Sequence, residues 1–194
     1  QRLDVAGNLK VGGWIGTDAN QPVEIYANNT RACRLEPNWT SPNLVGGHSE
    51  NSASVGVFGA TISGGGKSTL GNRVTASFGT VGGGKANTAQ WDYGVIAGGR
   101  QNSTGTYEAT VAGGRANNAT GGNSAIGGGY ANTANGAYST VPGGEFNVAG
   151  GQYALAAGHR AKANHNGAFV WADSTDTDFA STAANQFLIR ASGG

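Results

Sequence analysis

One aliphatic residue returns at near-constant intervals along the middle of this chain, surrounded by small or polar residues. Five segments carry the pattern most clearly: Thr80-Val81-Gly82-Gly83-Gly84-Lys85, Val95-Ile96-Ala97-Gly98-Gly99-Arg100, Thr110-Val111-Ala112-Gly113-Gly114-Arg115, Ala125-Ile126-Gly127-Gly128-Gly129-Tyr130 and Thr140-Val141-Pro142-Gly143-Gly144-Glu145. With Leu44, Ile62 and Leu155 included, the aliphatic anchors recur in steps of 14 to 19 residues. Six residues after each central anchor stands an asparagine: Asn87, Asn102, Asn117, Asn132 and Asn147. A short fixed period of this kind predicts a solenoid, in which each coil stacks on the last.

Nothing in the array has a helical period, and its paired glycines disfavour helix. Thr, Val and Ile ahead of the glycines favour short strands. A fifteen-residue coil has room for two such strands and two tight turns. Glycine, and after it the phased asparagine, is expected to supply the positive φ of those turns. Stacked asparagines are also expected to bond coil to coil. At ~4.8 Å per parallel rung, eight anchors span roughly 35–40 Å.

Three zones follow. Residues 1–43 lie outside the repeat and are read as an N-terminal β cap. Leu3-Asp4-Val5 and Leu9-Lys10-Val11 alternate, and Val23–Ala27 and Arg31–Glu36 flank an Asn28-Asn29-Thr30 break, the pattern of a β-hairpin. Residues 44–160 are the array. Residues 161–194 are read as a C-terminal cap or connector, because Asp18–Ile25 resembles Ala183–Arg190 and a solenoid needs its ends covered. The expected fold class is all-β, a parallel β-roll of 14–19-residue coils with β-rich caps at both ends.

Composition sharpens this. Only 38% of residues are hydrophobic and 36 of 194 are glycine, so each coil offers one aliphatic and an alanine or two for burial. Such a thin core is expected to gain from lateral association. A net charge of +1 with 12% charged residues argues against a whole-chain nucleic-acid or membrane binder, and no apolar run is long enough to span a bilayer. The single Cys33 rules out an intrachain disulfide framework and is expected as a buried free thiol. The chain starts at Gln1 without a signal peptide and reads as a piece of something longer. Four glycosylation sequons (Asn28, Asn38, Asn102, Asn118) carry little weight in a chain this rich in Asn, Ser and Thr.

The phased repeat, and Asn123-Ser124-Ala125-Ile126-Gly127 in particular, resembles the left-handed parallel β-roll heads of trimeric autotransporter adhesins. The segments Gly167–Asp173 and Asn185–Ala191 resemble those that follow such rolls in long bacterial surface or phage-tail-like fibres. The chain departs from the head repeat in carrying paired glycines and in lacking coiled-coil heptads. What the resemblance implies is an intertwined homotrimer, extracellular and non-enzymatic, at a cell surface or in a virion tail fibre.

Candidate chemistry is sparse. Ser63-Gly64-Gly65-Gly66-Lys67-Ser68-Thr69 imitates a phosphate loop, but position 61 is Thr where that motif needs Gly, and the segment runs with the repeat. Between Ser52 and Phe169 the acids are Asp92, Glu108 and Glu145, too few for a calcium ladder. His48, His159 and His165 match no zinc spacing, and Asp173, Asp176 and Asp178 read as a solvated loop. No cofactor, metal site or catalytic group is expected. Four residues after successive anchors stand Lys85, Arg100 and Arg115, a cationic column that is a solvated stripe, a partner for an adjacent subunit or for Asp92 and Glu108, or a surface for an anionic glycan. Trp91, Tyr93, Tyr107, Tyr138 and Tyr153 precede the anchors, about one per coil with Asn123 filling one place, as a sugar-stacking platform or as packing at an edge or subunit seam. Trp14, Trp39 and Trp171 are expected in the core of the caps.

The functional expectation is an adhesive or structural rod presenting a repeated face to a surface, matrix or glycan, without nucleic-acid or direct membrane contact. A spacer or filament-forming subunit is the alternative, and a carbohydrate-active β-solenoid enzyme a remote one, since paired carboxylates do not recur at a plausible cleft.

Overall fold

The computed structural model describes residues 21–193. Leu3–Val5, Leu9–Val11, Trp14 and the first residues of the Asp18–Ile25 segment lie outside them. Among the described residues every regular element is a β-strand. The chain winds as a parallel solenoid of about ten coils, each laying one short rung in each of two sheets. The first, here the anchor sheet, runs from Asn43–Gly46 through Thr80–Val81, Val95–Ile96 and Thr110–Val111 to Leu155–His159, Phe169–Ala172 and Phe187–Arg190. The second, the alanine sheet, has nine strands from Ser52–Ala53 to Phe179–Ala180. The parallel ladder therefore continues beyond residue 160, with Phe169–Ala172 paired on both sides.

The register moves two of the anchors. Leu44 pairs with Thr61 and Val45 with Ile62, while Leu155 pairs with Thr140. Alternation along a strand then turns Val45 and Ala156 inward and Leu44 and Leu155 outward. Val45 and Ala156 are buried, whereas Leu44 is exposed. From Val81 to Ala156 every step is now 15 residues, and the coils starting at Val45 and Ile62 are longer, at 17 and 19.

Four interior positions define a coil. The anchor faces the second residue of the alanine-sheet rung, as in the columns Val81, Ile96, Val111 and Ala89, Thr104, Ala119, all fully buried. Two residues before the anchor comes a small residue, such as Gly94, Ala109 or Ser124. The fourth position is the asparagine. Volumes compensate between columns: a Cβ on Gly94 would lie 2.5 Å from the Thr104 hydroxyl, and one on Gly79 would lie 2.7 Å from Val74.

The asparagines form a continuous buried ladder from Asn51 to Asn147. Each Oδ1 accepts the backbone N–H of the next asparagine, and each Nδ2 donates to glycine carbonyls. For Asn117 the partners are Asn132 N (3.0 Å), Gly113 O (2.9 Å) and Gly129 O (3.0 Å). The bonds run from side chain to backbone, so each rung satisfies main-chain groups that a tight corner leaves open. Ala161 takes the next place and donates its N–H to Asn147, ending the ladder.

Because these asparagines are interior, they do not supply the positive φ. That falls to the residues one place earlier, Ala86, Gln101, Ala116, Ala131 and Phe146 (φ 52–59°), and to a second column ahead of the anchors. The second glycine of each pair is left-handed too, and a Cβ there would strike the backbone of the next coil; at Gly113 and its equivalents a Cβ meets nothing.

The phosphate-loop imitation sits in the 19-residue coil, which places Asn72 ten residues after Ile62 instead of six. Its extra residues loop out at the corner while Asn72 Nδ2 still reaches Gly64 O and Gly84 O. At the same, N-terminal end of the sheet, Val23–Ala27 and Thr30–Glu36 form the expected hairpin, with Asn28 and Asn29 both left-handed (φ 49° and 58°), as a two-residue type I′ turn requires. Its second strand pairs antiparallel with Asn43–Gly46 and so covers the first edge of the anchor sheet. Phe187–Arg190 pairs in parallel, so the two resembling segments are held differently.

Candidate functional site: two edges of the anchor sheet

The outward side of the anchor sheet is formed by the residues immediately before and after each anchor. One column reads Thr61, Thr80, Val95, Thr110, Ala125, Thr140; the other reads Ser63, Gly82, Ala97, Ala112, Gly127, Pro142. Across all ten rungs neither column holds a charged residue. Toward the C-terminal coils the side chains grow, ending in the exposed Trp171, Phe187 and Ile189.

One edge of this face is the cationic column. Lys85, Arg100, Arg115, Tyr130 and Glu145 are joined by parallel bridges, and Glu145 pairs with His159. Rungs ~5 Å apart would set neighbouring unscreened cations in water against each other by about 0.8 kcal/mol. Among the described residues none of the three cations has a carboxylate within ion-pair distance. Arg115 instead lies 5.0 Å from the centroid of the Tyr130 ring.

The other edge is aromatic, but not as one column. Tyr93, Tyr138 and Tyr153 share the left-handed corner three residues before the anchors with Phe78, Glu108 and Asn123. Trp91 and Tyr107 belong to the two neighbouring columns and touch each other edge to face at 5.1 Å. Phe58, Phe78 and Tyr93 form one run of ring contacts at 5.2 Å, and Tyr138 stacks on Tyr153 at 5.1 Å. Between these groups the Asn123 amide donates to Glu108. Asp92 is on this edge also, accepting the Ser77 N–H at 2.8 Å. Phe78 was identifiable in the sequence, since it precedes Val81 by the distance that separates Tyr93 from Ile96.

The remaining candidates are separate from both edges or otherwise engaged. Asp173 is not a solvated loop residue: it accepts from Ser192 N, Thr175 N and Arg190 Nε, and the Ser192 and Thr175 hydrogen bonds hold its carboxyl well below the usual range. Asp176 pairs with Arg160 (2.7 Å) and lies 3.7 Å from His159, and Asp178 lies 3.7 Å from both Arg160 and Lys162. His165 Nδ1 contacts the buried Ser181 hydroxyl at 2.8 Å, and His48 Nδ1 accepts from Glu50 N. Cys33 is half-buried in the hairpin. Trp39, expected in a core, is 97% exposed, and Trp171 is 39% exposed; each lies where alternation or a loop turns it outward. A polar cleft between the hairpin and the first coil holds Arg34, Glu36 and Asn43, which bind one another. Among the described residues no three His, Cys, Asp or Glu gather as a metal would need. No protein-family profile matches this chain, and no curated protein matches it.

Proposed function

We propose that this chain is a non-enzymatic module of an extracellular adhesive or structural rod, at a bacterial surface or in a virion tail fibre. In this reading it associates side by side as a homotrimer and presents a repeated face to a surface, matrix or glycan. The observation that supports it is the outward side of the anchor sheet, uncharged over its full length in a chain with 12% charged residues. A face of that composition loses little on leaving water and suits the centre of an interface. The hairpin and residues 161–194 serve as the two caps. The exposed, stacked pair Tyr138 and Tyr153 is the surface open to a stacked sugar.

Light scattering together with electron microscopy of the same sample tests this reading. Discrete particles of three times the chain mass are expected, and a single-chain mass would sink it. Open-ended growth would favour the second reading, a filament subunit, which the uniform coils also suit. A glycan array then tests the adhesive part, with retention expected on sugars that stack on exposed rings and lost in Tyr138→Ala/Tyr153→Ala.

A further inference from the structure

The two edges of the anchor sheet carry opposite chemistry at the same height. Arg100 lies four residues after Ile96, and Asp92 lies four before it. Arg115 lies four residues after Val111, and Glu108 three before it. Asp92, Glu108 and Glu145 are the acids between Ser52 and Phe169, so two of the three fall in the coils that carry the arginines, on the opposite edge. In the coil of Glu145 the opposite edge holds Tyr138 and no acid. Within one chain the edges do not join: among the described residues no ion pair links them.

Rotating a copy about an axis parallel to the roll preserves height. If the uncharged face turns toward that axis, the cationic edge of each copy meets the acidic, aromatic edge of the next, a heterologous contact that closes as a ring. Face area alone points the same way: ten rungs at ~4.8 Å and a width of about 10 Å give on the order of 400 Å², below the roughly 800 Å² per partner of a stable interface. The edges must contribute. We infer that Arg100 and Arg115 of one copy bind Asp92, Glu108 and the rings of Trp91, Tyr93 and Tyr107 on a second, in-register copy of this chain. The seam rests on the side-by-side association proposed above. Guanidinium groups suit both partners, pairing with carboxylates in the plane and with ring faces above it. The seam also relieves the repulsion within the cationic column.

Two measurements on the full chain test the seam. Arg115→Glu and Glu108→Arg should each raise the dissociation constant of the assembly roughly 10²-fold, and the double exchange should restore it, with circular dichroism confirming that each variant folds. In a Cys33→Ser background, Asp92→Cys combined with Arg100→Cys should give interchain disulfides, seen as covalent dimers and trimers on a non-reducing gel. An assembly that persists in Arg115→Glu and forms no such disulfides overturns the seam while leaving the association intact. So does an Arg100→Asp/Arg115→Asp chain that loses heparin binding at unchanged mass, since the cations then serve a ligand. A native protein of single-chain mass at every concentration removes the association and the seam together.

Discussion

The central coils and the last two are built on the same ladder of rungs but held by different forces. From Asn51 to Asn147 the corners are closed by neutral amides bonded to backbone, with glycine where the chain must pass close to its neighbour. After Ala161 the amide column is gone. There the coils are fastened by Arg160–Asp176, Arg190–Asp173 and contacts to Asp178, by Phe169 stacked on Phe187 at 4.5 Å, and by Arg190 over the Phe179 ring. The contrast teaches that a repeat can replace charge by geometry. Where coils are alike, a neutral group finds its partner at a fixed rise; where they diverge, longer-reaching charges and larger rings take over.

Asn117→Asp strikes the central principle hardest. The isosteric side chain keeps its acceptor for Asn132 N–H but turns oxygen toward two carbonyls and buries a charge. Chemical denaturation should show a loss of about 3–5 kcal/mol, whereas a cost near zero would mean that the ladder is ornamental. Gly114→Ala comes next, at about 3 kcal/mol, because a left-handed φ and a backbone collision act together. Its neighbour Gly113→Ala should stay within about 0.5 kcal/mol. Equal effects at the two positions would refute the assignment of roles within the glycine pair. Gly94→Ala should cost about 2 kcal/mol by overpacking against Thr104, and Thr104→Ala in the same chain should recover much of it.

The smallest effect belongs to the last coils. Asp173 has a depressed carboxyl pKa through hydrogen bonds from Ser192 and Thr175. Its contribution is therefore fully present above the unfolded value of about 4 and is lost as pH falls through the folded one. Hydrogen exchange between pH 5 and 2, corrected for intrinsic rates, should show protection falling at Thr175 and Ser192 first, with the amides of Asn102 to Asn147 unchanged. Simultaneous loss in both regions would make them one cooperative unit.

The sequence exposed the solenoid because a fixed period survives any single odd residue. It misplaced the end anchors where two apolar residues adjoin, Leu44 beside Val45 and Leu155 beside Ala156, since size alone does not say which faces inward. The asparagines were legible as a column but not as interior groups, because Asn serves left-handed turns and buried ladders alike. The glycines expected at positive φ are found there, but the other left-handed positions from Phe78 to Tyr153, Asn123 apart, hold Ala, Gln, Phe, Tyr and Glu, residues with no such preference. The cationic edge was fully legible, each member following a glycine pair. The aromatic edge was only half so, because Trp91 and Tyr107 lie near the anchors without sharing a column.

The asparagine ladder has a consequence for how such a molecule can change. Each coil presents above the same donors and acceptors that it consumes below, so one fifteen-residue unit can be lost or duplicated without orphaning a partner. Insertions such as the one beside Lys67 are diverted to a corner while Asn72 keeps count. Length thus becomes a digital trait, adjustable by unequal recombination in increments of a single rise, with no redesign of either end.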